Sequence, residues 1–397
     1  MPEPNTTAIV NIGTLFTGDL AAPIDEAESL LINDGRIVAI GNVSVADADR
    51  LIDVHGATVG PGLIDSHCHV VMGDYTPRQQ TVGFLSSYVH GGICQAISPG
   101  EIHTPGRPRN RDGVKALAVA AAHWWDTYRP NGMKVHGGAV VIEPVLTDED
   151  FLEIASQGVK LAKFGFGNYE DPADGLPQVR GAQAAGIKVM CHSGGASIPG
   201  SKPITVDHLL LLRPDVCGHV NGGPTSLDED GLLTLVNETD LILQLVQAGN
   251  LRSAIHITKA VREAGAEHRV IIGSDTPTGT GVIPLAIIKT MAELCSLAGV
   301  EPEVAWAWAS GNTRDVYDLD SGKIEIGRPA DLVVCDAPWG ALADDAAGAL
   351  VRGDIPGISA VIIDGVVRAL RSRNTPAAAR AVTVTPEIPL PPGSSHV

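Results

Sequence analysis

Two histidines, His67 and His69, are separated by one residue and lie just after the apolar segment 62–64. Side chains alternate between the two faces of a strand, so residues at i and i+2 point in the same direction. Two converging imidazoles supply half of the ligands of a tetrahedral transition-metal site. The pair is equally compatible with two polar residues at the end of a strand, so other residues must decide between these interpretations.

Three other apolar segments also end on a metal-binding side chain, and these are His192, His219 and Asp275. A single histidine at the end of a strand usually belongs to the core or to the rim of a fold. Four histidines and one aspartate in the same position are not expected by chance. We therefore predict that these three residues, together with His67 and His69, form one two-metal site.

A lysine, Lys163, lies inside the apolar segment 158–166. A buried ammonium is costly, so a lysine in a barrel strand indicates a lowered pKa and a chemical role. The neutral amine could capture carbon dioxide and bridge two metals through the carbamate oxygens. The alternative is that Lys160 or Lys163 extends its ammonium to the rim of the barrel.

These side chains need a scaffold that brings several strand ends together. Segments with helical periodicity, such as residues 113–128 and 147–157, separate the apolar segments. Eight strands alternating with helices over roughly 250 residues predict an α/β fold, a (β/α)8 TIM-like barrel spanning residues 61–319. The eight candidate strands span residues 62–70, 92–98, 134–142, 158–166, 187–193, 216–220, 241–246 and 270–274.

Both ends of the chain have short β segments and hairpin turns, such as Asn33-Asp34-Gly35 and Asp364-Gly365. We predict that residues 1–60 and 320–397 build one small β-sandwich domain. The last residues are rich in proline, glycine and serine, which is typical of a flexible tail.

The composition excludes several functional classes. The chain carries 28 basic and 46 acidic residues, a net charge of −18, which disfavours nucleic acid and anionic membranes as partners. The six cysteines are scattered singly, as is typical of reduced thiols in a cytoplasmic protein. We expect neither an export signal nor a membrane-spanning segment, and we expect a homo-oligomer, either a dimer or a tetramer.

The sequence resembles the amidohydrolase superfamily in several motifs. They comprise residues 60–69, the later His192 and His219, the Gly-Ser-Asp-Thr sequence 273–276, and the distal segment 322–333. The resemblance covers nearly the whole chain and implies a metal-dependent barrel with a β-sandwich. Residues 136–139, 197–201, 221–225, 279–281 and 283–285 are similar to those superfamily members that open cyclic enamides.

The resemblance also implies a binuclear metal centre. One metal would bind His67, His69 and Asp275, the other would bind His192 and His219, and Lys163 would bridge them if carboxylated. The expected cofactors are two divalent ions, zinc, iron or manganese, and carbon dioxide as the Lys163 carbamate.

Two divalent cations sharing a hydroxide would supply a nucleophile at neutral pH and polarise a carbonyl oxygen. Asp275 would act as general base and then as general acid toward the leaving nitrogen. This chemistry predicts hydrolysis of a C–N bond in a cyclic amide, lactam or imide. The chain has no Gly-x-Ser-x-Gly motif, and Cys68 and Cys191 are expected to pack behind the metal ligands. The alternatives are a deaminase or dipeptidase of the same architecture, or a non-catalytic metal-stabilised scaffold.

Substrate selectivity should come from the connections after the strands. The segment 99–111 concentrates cationic side chains and predicts an anchor for a substrate carboxylate, with Arg107 first, Arg109 second, and His103 nearby. A solvated loop is the alternative. Gln247 and Asn250 are weaker candidates for contacts with substrate.

Overall fold

The computed structural model describes residues 5–100, 102–104, 106–223 and 226–387. Residues 101 and 105 of the predicted anchor segment, and residues 388–397 of the proline-rich tail, lie outside this part of the chain. The strands are β1 (Thr6–Val10), β2 (Thr14–Phe16), β3 (Ile24–Asp25), β4 (Ser29–Asn33), β5 (Arg36–Ile40), β6 (Arg50–Asp53), β7 (Thr58–Pro61), β8 (Leu63–Asp65), β9 (Tyr75–Thr76), β10 (Thr81–Val82), β11 (Ile93–Ile97), β12 (Lys134–His136), β13 (Val140–Val141), β14 (Leu161–Phe164), β15 (Lys188–Cys191), β16 (Val216–Cys217), β17 (Ile242–Val246), β18 (Val270–Gly273), β19 (Leu332–Asp336), β20 (Gly357–Ile363), β21 (Val366–Leu370) and β22 (Thr383–Thr385). The helices are α1 (Leu85–Val89), α2 (Arg111–Thr127), α3 (Asp148–Ser156), α4 (Leu176–Ala184), α5 (Val206–Leu212), α6 (Glu229–Glu238), α7 (Leu251–Glu263), α8 (Ala286–Ala298), α9 (Pro302–Trp308), α10 (Gly311–Tyr317) and α11 (Ala346–Arg352).

The middle of the chain forms the predicted barrel of parallel strands. β8, β11 and β12 pair in that order, and β13 to β18 pair one after another. The Ser66 amide donates a hydrogen bond to the Ile272 carbonyl at 3.2 Å, which connects the end of β8 to β18. Helices between successive strands pack on the outside, and α2 buries Val114, Ala118 and Ala121 at helical spacing.

The third barrel strand differs from the prediction of one continuous segment, 134–142. It is interrupted after His136, so that β12 pairs with β11 and β13 pairs with β14. Gly138 has a left-handed φ of +83°, and a Cβ there would lie 2.6 Å from the Ala122 side chain. The close approach of α2 therefore breaks the strand at a residue where only glycine fits.

The predicted helix start at Thr147 is confirmed. The Thr147 side chain and the Asp150 side chain form a reciprocal capping box at the first turn of α3. Each barrel strand in the structure is shorter than the apolar segment that predicts it. β8, for example, ends at Asp65, before both histidines.

Strands from both chain ends share two further sheets. One has the order β22-β6-β1-β4-β5 and the other has the order β21-β20-β19-β7-β2-β3. Their facing apolar side chains, including Ile9, Leu30, Leu332 and Ile362, form one buried cluster. These sheets agree with the predicted sandwich, while domain boundaries near residues 60 and 320 stay a prediction.

All six cysteines are buried and free. In the described ranges, the helices are too short or too polar to cross a bilayer.

Candidate metal centre

Backbone hydrogen bonds between the first and the last barrel strands fix the residues that follow them. The Asp275 amide donates to the His67 carbonyl at 2.8 Å, and the His69 amide donates to the Thr276 carbonyl at 2.8 Å. Asp275 and His219 have left-handed φ values of +52° and +38°, which are uncommon for residues other than glycine. Such strain persists where the surroundings fix it, and it clusters at functional sites.

His67, His69 and Asp275 form a compact group of potential ligands. His69 Nε2 lies 2.9 Å from Asp275 Oδ1, and His67 Nε2 lies 3.4 Å from the same oxygen. One ligand atom from each of the three side chains lies within 4.8 Å of the others. The structure therefore brings together the first predicted ligand set.

The protonation of His67 shows why this group suits a cation. Burial and the Lys163 charge hold the pKa of His67 well below its usual value, so the ring is neutral. Its Nδ1 donates to Gln244 Oε1 at 2.6 Å, which leaves a lone pair on Nε2. That lone pair faces a carboxylate oxygen, and Nε2 is buried without a hydrogen-bond partner. Two facing acceptors need a cation between or beside them, and a divalent metal fits this requirement.

His192 and His219 form the second group. His192 Nε2 donates to the Gly195 carbonyl at 2.7 Å, so the lone pair of this neutral ring is on Nδ1. His192 Nδ1 lies 3.0 Å from His219 Nε2, close to the roughly 3.3 Å between two nitrogens on a tetrahedral zinc with bonds of about 2.0–2.1 Å. Burial lowers the pKa of His192 to about 4, so the ring is available as a ligand at neutral pH.

Lys163 lies in β14 and lines the same cavity as these two groups. Its side chain is buried, and Nζ contacts the Met190 sulfur at 3.4 Å. Burial lowers the pKa of Lys163 to about 8. No carboxylate in the described residues forms an ion pair with this amine. Lys163 differs from Lys160, in the same segment, in being buried instead of exposed.

The six predicted metal-site residues line one cavity of about 310 Å³, a volume suited to a small molecule. His103 also lines it, and the His103 ring centroid lies 4.6 Å from that of His69. Burial, and then the charge of His69, lower the pKa of His103 to about 3. His103 therefore enters the cavity as a neutral imidazole.

The other predicted substrate contacts do not line this cavity. Gln247 donates to Glu293 at 3.2 Å and accepts from Thr290 at 2.9 Å, and the Asn250 side chain caps α7.

Arg107 and Arg109 lie close to a buried acid. Arg107 donates to Glu143 at 3.0 Å and to the Phe166 carbonyl at 3.0 Å, and its side chain is 5% exposed. Arg109 lies 3.7 Å from Glu143 and is about half exposed. Contact between Arg107 and substrate would require this ion pair to break. The sequence alone could not reveal this ion pair, because Glu143 follows a different barrel strand.

Replacing Arg107 with alanine is expected to destabilise the fold by up to about 3 kcal/mol, because the buried Glu143 carboxylate loses its closest cationic partner and keeps only the half-exposed Arg109 at 3.7 Å and a hydrogen bond from the Asn168 amide. Urea unfolding measures the change. The double variant Arg107→Ala, Glu143→Gln should recover part of the loss. Unchanged stability combined with a fall in kcat/KM would instead support the predicted substrate contact.

Sequence reasoning missed Gln244, which connects two of the ligand histidines. Gln244 Oε1 accepts from His67 Nδ1 at 2.6 Å and from the His219 amide at 3.2 Å, while its Nε2 donates to Ser66 at 2.9 Å. Such partners fix the tautomer and orientation of a metal-binding histidine. A glutamine inside the apolar strand β17 is the signal that could have identified it.

Comparison with known proteins identifies relatives of the chain. The family model described as "Amidohydrolase family" matches residues 205–368. The chain is 44% identical to the enamidase of Eubacterium barkeri over 382 residues, which cover 95% of this chain and 99% of that protein. It is 24% identical to the imidazolonepropionase of Streptomyces griseus, covering 84% of this chain and 93% of the relative.

Solved structures give the same relationship. The crystal structure of enamidase, described as a member of the amidohydrolase superfamily, superimposes with a TM-score of 0.92 over 96% of this chain and 100% of that one. A putative prolidase from Bifidobacterium longum shares the fold, with a TM-score of 0.61 at 19% identity over 94% of this chain and 96% of the other. Because it is 44% identical to enamidase over nearly its whole length, the chain belongs to the amidohydrolase superfamily.

Proposed function

We propose that the protein is a metal-dependent hydrolase that opens a C–N bond in a small cyclic amide or enamide. The observation that carries the proposal is the convergence of the two ligand groups on one small cavity, with unprotonated acceptors facing each other. The relationship to enamidase supports the same reaction class.

The five predicted ligands suit two divalent ions. His67, His69 and Asp275 would hold one, and His192 and His219 would hold the other. Bound there, two such ions would lower the pKa of water toward neutrality and polarise a carbonyl group. Zinc is the first candidate because nitrogen and carboxylate ligands dominate, and iron or manganese would also accept them.

Lys163 would complete the centre as a carbamate. The neutral amine would add to carbon dioxide, forming an N–C bond and releasing one proton, so that a neutral group becomes an anion. The amine is buried and without an acidic partner in the described residues, and its pKa of about 8 keeps part of it neutral near pH 7. An ammonium beside two dications would be repelled, so carbamate formation also removes an unfavourable charge.

Asp275 would transfer the proton that the reaction requires. Burial by itself raises the pKa of its carboxyl, but the neighbouring histidines, with a hydrogen bond to His69 among their contributions, outweigh burial and hold this pKa well below its usual value, so the group is a carboxylate at neutral pH. The carboxylate can therefore accept a proton from the attacking water and deliver it to the leaving nitrogen as the C–N bond breaks.

A panel of substrates tests the proposal on metal-loaded protein. Five- and six-membered lactams, cyclic imides, aminated heterocycles and dipeptides would be compared, and we expect turnover of the cyclic amides without release of ammonia from the aminated rings. Ammonia release would favour a deaminase, dipeptide cleavage would favour a dipeptidase, and no turnover at all would favour a scaffold.

The cellular setting is part of the same proposal. Six buried, unpaired cysteines suit the cytoplasm, where thiols stay reduced. The predicted dimer or tetramer can be checked by light scattering of the purified protein.

A further inference from the structure

One buried ion pair joins three successive connections at the face of the barrel that carries the predicted metal ligands. Arg107 lies in the connection after the second barrel strand, Glu143 follows the third, and Phe166 follows the fourth. Arg107 Nη1 donates to Glu143 Oε1 and Arg107 Nη2 donates to the Phe166 carbonyl, both at 3.0 Å. Glu143 Oε2 also accepts from the Asn168 amide at 2.7 Å. Both oxygens of this buried carboxylate therefore hold the connections together.

His103 lies in the connection that Arg107 anchors, a few residues before it. Ile102, its neighbour on the other side, is buried in one apolar cluster with Val141 and Phe166. The backbone at His103 is thus held before the ring by an apolar contact and after the ring by the ion pair. Both contacts lead to the connections after the third and fourth strands.

The His103 ring lies inside the cavity, beside a predicted metal ligand. It lines the cavity together with His69 and Asp275, and its centroid is 4.6 Å from that of His69, with the two rings edge to face. A neutral imidazole has one donor and one acceptor nitrogen, so His103 can form a hydrogen bond with a bound molecule as long as it points inward. Connections after strands are more mobile than the strands, so this orientation requires support.

We propose that Glu143 and Arg107 are positioning residues that keep His103 facing the cavity. The inference rests on the proposed hydrolysis of a cyclic amide. Neither residue of the pair is among the described residues that line the cavity, so the pair acts through the connection that it holds. A buried ion pair adds little net stability compared with well-packed apolar side chains of similar volume, whereas its directed hydrogen bonds fix the distance between two connections.

A double-mutant comparison tests whether the pair acts through His103. We would measure kcat and KM for a cyclic amide in Glu143→Gln and Arg107→Lys, each made in wild type and in His103→Ala, at matched metal content. Glu143→Gln keeps the shape of the side chain but replaces one acceptor oxygen with an NH2 group, and Arg107→Lys keeps the charge but loses the second donor. We expect each variant to lower kcat/KM about 10- to 100-fold in wild type, and less than about 2-fold in His103→Ala.

Asp336→Asn is the matched control, because Asp336 is also a buried carboxylate paired with an arginine, Arg380, and it lies in β19 outside the barrel. This control should leave kcat/KM within about 2-fold of its parent in both backgrounds. Equal losses from Glu143→Gln in wild type and in His103→Ala would show that the pair does not act through His103 and would overturn the proposal.

Hydrogen exchange tests the inference without any substrate. The peptide that covers residues 99–111 should exchange about 10-fold faster in Glu143→Gln than in wild type, because the connection loses its buried anchor, and Asp336→Asn should match wild type. Arg107→Lys supplies the same measurement if Glu143→Gln does not fold. If wild type hydrolyses no cyclic amide, the proposed reaction fails, and the exchange result still decides whether the pair holds the connection of His103. Unchanged exchange in both variants would contradict the positioning role.

Discussion

Replacing Lys163 with alanine is expected to lower kcat/KM by about 10³-fold, equivalent to about 4 kcal/mol at 1.36 kcal/mol per tenfold. The reason is that Lys163 is the one lysine among the described residues that line the cavity together with both ligand groups. Loss of the carbamate would leave two dications without a shared anion. The variant should also hold less metal, which elemental analysis of the purified protein would measure.

Two further results distinguish a bridging carbamate from a merely structural lysine. Acetate or propionate should restore part of the activity of Lys163→Ala, because a short carboxylate can occupy the space of the missing bridge. Isotope-labelled bicarbonate should give a carbamate signal in wild type that Lys163→Ala lacks. Lys160→Ala is the control, since Lys160 is exposed at the other end of the same segment. Equal losses in the two variants, or full activity of Lys163→Ala, would rule out the bridge.

Replacing Asp275 with asparagine is expected to lower kcat by about 10²–10⁴-fold, the usual contribution of a positioned acid–base group. Asparagine keeps the shape of the side chain and an oxygen toward His69 but cannot carry the proton between water and nitrogen. The measurement is kcat on a cyclic amide, normalised to the metal content of each preparation.

Asp126→Asn is the matched control for Asp275→Asn, because Asp126 is an exposed aspartate on α2. If Asp275→Asn retains kcat once metal content is matched, Asp275 is a metal ligand only and another group transfers the proton.

The sequence predicts the four histidines and the aspartate of the metal site because each comes at the end of an apolar strand segment, and it predicts Lys163 because a lysine lies inside such a segment. In a parallel barrel all strands end at one face, so residues far apart in sequence, such as His67 and Asp275, must meet there. The residues still meet there although the strands in the structure are shorter than the apolar segments. β8 ends at Asp65, yet the two histidines that follow it are held by backbone hydrogen bonds with Asp275 and Thr276, which follow the last barrel strand.

The substrate contacts are less predictable, because each arginine's partner depends on tertiary structure. Arg107 belongs to a cationic segment, but its guanidinium is engaged by Glu143, 36 residues away. The break in the third strand has the same origin, because the approach of α2 to Gly138 is a tertiary contact.

The most direct test of the two-metal account is a titration of activity with metal. Protein stripped by a chelator should be inactive on a cyclic amide, and added zinc should restore activity up to two equivalents per chain and no further. Full activity after exhaustive chelation, or saturation with no metal bound at the five predicted ligands, would contradict it.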